Sequence, residues 1–263
     1  MTVALAITSF LSAACSSTAP SAQTSGNGGN RQLTGLFRLT PGAEVGGQLT
    51  GTWFRMLQPD GSVTKGPYMK NAASPADGGL ATLLAPGTAG GLRTGGYQSQ
   101  PAPAFDTGGN SLADSILTPT TFFGVKFSVS TNRTDLQTKT VVPPPTIVLR
   151  NGKLVANLAS WAASWNKQNF NQGAPKPVQS TAAKSPGQAQ AQRAWDWVSQ
   201  RWLGAVPKAT ITGGAATGTI DLSTGGFTLE WTSLIVGGPF NGFTGIWHLQ
   251  GVYQPSGQAP AGA

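Results

Sequence analysis

Three side chains of this 263-residue chain could share acid–base work: His248, Glu230 and Asp221. His248 is the only histidine, so a Ser-His-Asp arrangement would have to use it. It sits between Trp247 and Leu249 in an alternating run and faces away from both. Glu230 sits between Leu229 and Trp231 and shares its face with Thr228 and Thr232; Asp221 falls on a neighbouring strand. Glycoside hydrolysis needs two carboxylates across a cleft, about 5 to 9 Å apart. Only nine acidic residues are present, so such a site has few groups to draw on. The plainer reading of each residue is a solvated or hydrogen-bonded strand position. There is no Gly-x-Ser-x-Gly elbow and no phosphate-binding glycine loop. One histidine and one cysteine leave mainly carboxylates as metal ligands, so neither a metal nor a cofactor is expected.

Eight tryptophans are the other chemical signal, and five fall between residues 161 and 202. Leu154, Leu158, Trp161 and Trp165 are spaced four, three and four apart, which predicts an amphipathic helix. A second helix is predicted over Gln190–Leu203, with Trp195, Val198 and Trp202 on one face. Trp197 lies off that face between Arg193 and Arg201. It could offer an aromatic platform to a sugar ring or a membrane interface.

The elements that must position these residues are mostly strands. Gly (36) and Pro (19) are abundant and charged residues make up only 10%, a composition of turns and strands. Strands are predicted at 47–57, 122–130, 217–232 and 244–253, all in one sheet. In the second of these, Phe123, Val125, Phe127 and Val129 share a face. Residues 71–110 read as a long irregular region partly laid on the domain through Leu83, Leu84, Leu92, Tyr97 and Phe105. Residues 174–189 read as a polar linker. Thr50-Gly51-Thr52-Trp53 and Thr244-Gly245-Ile246-Trp247 hint at equivalent strands, with the chain ends adjacent. Gly237-Gly238-Pro239-Phe240-Asn241-Gly242-Phe243-Thr244-Gly245 resembles the Gly-Gly-x-x-x-Phe-x-Gly turn of allene-oxide-cyclase and dirigent-type β-barrels, with one extra residue before the second Phe. The resemblance implies a barrel rather than a sandwich. The expected fold is therefore mainly β: one antiparallel barrel or sandwich over 32–254, with a helical insertion at about 152–204, long Gly/Pro-rich loops and a disordered tail at 255–263.

The front of the chain suggests where it works. An apolar run, Val3-Ala4-Leu5-Ala6-Ile7, leads to Leu11-Ser12-Ala13-Ala14-Cys15, and Cys15 is the only cysteine. A small polar stretch to Arg31 follows, read as a flexible tether over 15–31. This arrangement resembles a bacterial secreted lipoprotein of the actinobacterial type. The resemblance implies a signal peptide over 1–14, a lipid on Cys15 and an extracytoplasmic protein held on the membrane or envelope. A basic start before the apolar run is missing, and an ordinary secreted protein cut near Ala13 is the other reading. Seventeen basic residues against nine acidic give a net charge of +8, but the basic residues are scattered. Scatter and export argue against a nucleic-acid partner. The leading expectation is a non-catalytic β-domain binding a small apolar ligand, a lipid or an envelope glycan. The alternatives are an envelope enzyme acting on glycan or lipid through His248, Glu230 or Asp221, and a structural subunit whose 71–121 segment wraps a neighbouring protein.

Overall fold

The computed structural model describes residues 30–177, 194–203 and 215–257. Strands dominate them. The first are β1 (Arg31–Leu33), β2 (Gly35–Leu39), β3 (Ala43–Val45), β4 (Gln48–Thr50), β5 (Trp53–Ser62) and β6 (Gly66–Tyr68). Next come β7 (Thr82–Leu83), β8 (Gly91–Arg93), β9 (Thr120–Phe122), β10 (Val125–Thr131), β11 (Thr146–Arg150) and β12 (Lys153–Asn157). The rest are β13 (Trp161–Trp165), β14 (Gln168–Asn171), β15 (Ala194–Asp196), β16 (Arg201–Leu203), β17 (Ala216–Ile220), β18 (Gly226–Leu234) and β19 (Thr244–Pro255).

An 11-stranded sheet runs in the order β1-β11-β12-β17-β18-β19-β2-β8, with β5, β6 and β7 branching from β19. Every pairing is antiparallel, and the sheet curls into a half-barrel. The long strand β19 makes the branch. Thr244–His248 pairs with β5, while Gly251–Pro255 pairs with β2. Gly251 meets the β2 backbone where a side chain would overlap the Arg38 carbonyl. The pairing of Gly35 with Pro255 sets the two ends of the domain side by side, as the sequence suggested.

A second sheet, β14-β13-β10-β9, packs on the inner face of the half-barrel. Between them lies an aromatic core. Trp161 of the small sheet meets Trp231 and Trp247 of the large one edge-on, at 5.2 and 5.6 Å between ring centres. Segment 71–121 is laid against this same domain, with Leu84, Leu92, Ile116 and Leu117 buried in the core.

Several expectations are corrected. Neither amphipathic helix exists among the described residues. Leu154 lies in β12 and Trp161 and Trp165 in β13, with a turn between the strands. Spacings of four are even, so they also fit strand alternation, and the odd step of three falls across that turn. The second predicted helix is a β15–β16 hairpin over its described part; residues 190–193 lie outside. The run 122–130 is not one strand. Phe123 and Gly124 form a two-residue hairpin turn, both with positive φ, so Phe122 turns inward and Phe123 outward. This hairpin belongs to the small sheet, so the four predicted strands do not share one sheet. Ala174 and Lys176 are buried, not part of a polar linker. Finally, Pro255, expected in the disordered tail, closes β19 opposite Gly35, and Arg31, expected in the tether, opens β1 opposite Leu149; residues 178–189, 258–263 and the leader and tether through Gly29 lie outside the described residues.

Candidate functional site

Two places gather chemistry. The first is the outer, solvent-facing side of the large sheet. The β18–β19 register sets Glu230 opposite His248, and β5 sets Trp53 opposite His248 from the other side. His248 Nδ1 lies 2.6 Å from Glu230 Oε1, and its ring stacks on Trp53 at 4.8 Å with the planes 4° apart. The hydrogen bond from His248 holds the Glu230 carboxyl below its ordinary range, against the opposing effect of partial burial. Arg55 continues the stack. Its guanidinium lies 5.2 Å from the Trp53 ring and 5.0 Å from Tyr68, and pairs with Asp77 at 2.5 Å. The groove beside this ladder, about 290 Å³, is lined by Trp53, Arg55, Thr217, Glu230 and Thr232 among others.

Asp221 does not join it. Thr217 is the residue opposite Glu230, and Asp221 lies four residues further on, about 13 Å along the strand. Its carboxylate closes its own turn by accepting from Ser223, which lowers its pKa. The His248–Glu230 pair is therefore real and the Asp221–Glu230 pair is not. Among the described residues no Ser or Thr hydroxyl bonds to His248, and no group of three or more His, Cys, Asp or Glu is placed to hold a metal.

Trp197 lies in the turn of the β15–β16 hairpin, half-buried, with the Lys139 ammonium 5.1 Å from its ring centre. Arg201 is exposed opposite Asp196, and Arg193 lies outside the described residues. The face that a sugar would use is thus partly occupied by Lys139. Trp195 and Trp202 pair across the hairpin at 5.7 Å.

The second place was not singled out by the sequence. At one end of the core, the two sheets leave an apolar cleft lined by Phe54, Met56, Phe122, Phe127, Trp165, Phe170, Phe240 and Trp247, with Ala163 and Ile235. Its free volume is about 40 Å³, room for little more than a methyl group. The only amide side chain in the wall, that of Gln172, is already engaged. Its Nε2 donates to the Asn171 and Leu234 carbonyls and its Oε1 accepts from Trp247. Phe240 forms part of the wall from a short 3₁₀ turn, Gly238–Phe240; Gly238 and the preceding Gly237 both have positive φ. Alternation could place Phe54, Phe127 and Trp247 indoors. Nothing local says that their strands leave a gap.

Beside the cleft lies a buried polar cluster. Asp135 Oδ1 accepts from the backbone N–H groups of Gln137 and Thr138 and from the Thr138 hydroxyl. Lys176 Nζ donates to the carbonyls of Asn171 and Leu234. Burial lowers the Lys176 pKa to about 7, against the opposing charge of Asp135. This cluster ties the chain after β14 to the end of β18.

No helix among the described residues is long and apolar enough to cross a membrane. Compared with known protein families, curated proteins and solved structures, the chain matches none of them.

Proposed function

We propose that this chain is an extracytoplasmic protein anchored through a lipid on Cys15, whose β-domain binds a small apolar ligand without catalysis. The observation that carries the binding half is the cleft: aromatic and aliphatic on every side, its one amide satisfied within the protein. Such a wall offers contact area and no charge, so it suits a hydrocarbon and not a sugar or a phosphate. A ligand larger than a methyl group needs the Phe240 ring to swing out of the wall. The anchoring half rests on Cys15 and the leader before it.

The neutral probe N-phenyl-1-naphthylamine should gain fluorescence on binding. Ala163→Val, which adds two methyl groups to the cleft from β13, should reduce that gain while the protein still melts cooperatively. Equal probe binding by both proteins would contradict the reading. Mass spectrometry of Cys15 from the membrane fraction should show acyl groups; an unmodified Cys15 removes the anchoring half alone.

The Glu230–His248 pair favours a second reading, an envelope enzyme acting on glycan or lipid at the outer groove. In that reading His248 is the base and Glu230 orients it. The stacking of His248 on Trp53 and the exposure of Glu230 give the pair an equally complete structural role.

A further inference from the structure

The two hairpins of the small sheet end side by side. β10 pairs with β13 so that Ser128 faces Ser164; two and three steps further, Lys126 and Val125 come level with the Asn166–Lys167 turn. One hairpin tip is Phe123-Gly124, and Phe123 is 48% exposed although aromatic. Its φ of +49° is a conformation in which a bulky side chain is disfavoured and Asn or Gly is usual. Its ring rests 4.9 Å from Phe122 and 5.5 Å from Phe240, two walls of the apolar cleft. Exposed Lys126 and Lys167 flank it. Exposed Lys70 precedes Asn71, whose amide bonds the Thr121 carbonyl at the base of the same hairpin. Asp106, hydrogen-bonded to Asn110, is the partly exposed carboxylate near this end; Asp196 is buried against Gly238 and the Ser199 hydroxyl. Three lysines around a protruding phenylalanine match an anionic bilayer in both layers: phosphate for the cations, acyl boundary for the ring.

We propose that this hairpin end docks on an anionic lipid surface, with Phe123 entering the interface and Lys126 and Lys167 meeting headgroup phosphates. Docking so placed turns the Phe122–Phe240 side of the cleft towards the membrane. It deepens the reading above by making a membrane acyl chain the ligand, and it stands or falls on a different measurement. Asn30 lies fifteen positions after Cys15, enough to reach about 50 Å if extended, so an anchored chain can bring this end to the bilayer.

Full-length protein carrying Cys15→Ser would be sedimented with vesicles of phosphatidylcholine alone, or with one quarter phosphatidylglycerol. Binding is expected only to the mixed vesicles, and it should fall as salt rises. Phe123→Asn suits the turn, so its melting temperature should hold or rise while binding weakens about tenfold. Lys126→Gln and Lys167→Gln should each weaken it about fivefold. Equal binding by Phe123→Asn, equal binding to uncharged vesicles, or no vesicle binding would each overturn the proposal. If the probe still fills the cleft while vesicles are ignored, membrane docking falls and ligand binding stands.

Discussion

Lys176 is an ionisable residue held away from water. It is buried among carbonyls, and the loss of its hydration lowers its pKa from 10.5 to about 7. In the unfolded chain it holds its proton up to about 10.5. Between these values the unfolded state binds more protons, so stability should rise as pH goes from about 7 towards 10. Below 7 both states are protonated and the cost of burying the charge is fully present. Urea midpoints of the wild type should therefore climb from about pH 7 to about pH 9.5, and those of Lys176→Met should climb less. Parallel profiles would contradict the burial of this amine. Nothing in the sequence marked it, because Pro175-Lys176-Pro177 reads as a linker until the Asn171 and Leu234 carbonyls are seen around it. By contrast, the faces of His248 and Glu230 were legible from alternation. Their meeting was not, because it depends on the register of β18 against β19, which no single strand encodes.

At the scale of elements, the tryptophans show where periodicity misleads. Trp161 and Trp202 both fit the apolar stripe of a helix by spacing, yet they lie in very different strands. Trp161 is fully buried in β13 against Trp231 and Trp247, whereas Trp202 is half-buried in the β15–β16 hairpin. Trp161→Ala should cost about 3 to 5 kcal/mol in urea melts, as truncation of a buried indole does. Trp202→Ala should cost clearly less; equal losses would contradict the hairpin assignment. The strand-rich composition, the β18 and β19 alternation and the anchoring of segment 71–110 by Leu84 and Leu92 could be read from the chain alone. The split at Phe123-Gly124 could not, because a phenylalanine in the first turn position disguises a hairpin as a continuous strand.

On the scale of the whole molecule, a curled sheet with a smaller sheet laid inside it makes one core with an incompletely filled end. The outer face carries the roomier groove, but its groups are already paired into the Tyr68–Arg55–Trp53–His248–Glu230 ladder. The inner cleft has walls that lack contacts on one side, and an apolar guest would supply them. The proposals of membrane anchoring, acyl-chain binding and docking through Phe123 and its lysines describe one arrangement, in which the cleft would work at the bilayer surface. The most direct measurement is a crystal structure of the protein grown with 1-bromodecane, read at the bromine absorption edge. The account expects bromine density among Phe122, Phe127, Phe170 and Phe240, with the Phe240 ring displaced. An empty cleft at saturating bromodecane, with Phe240 unmoved, would contradict it.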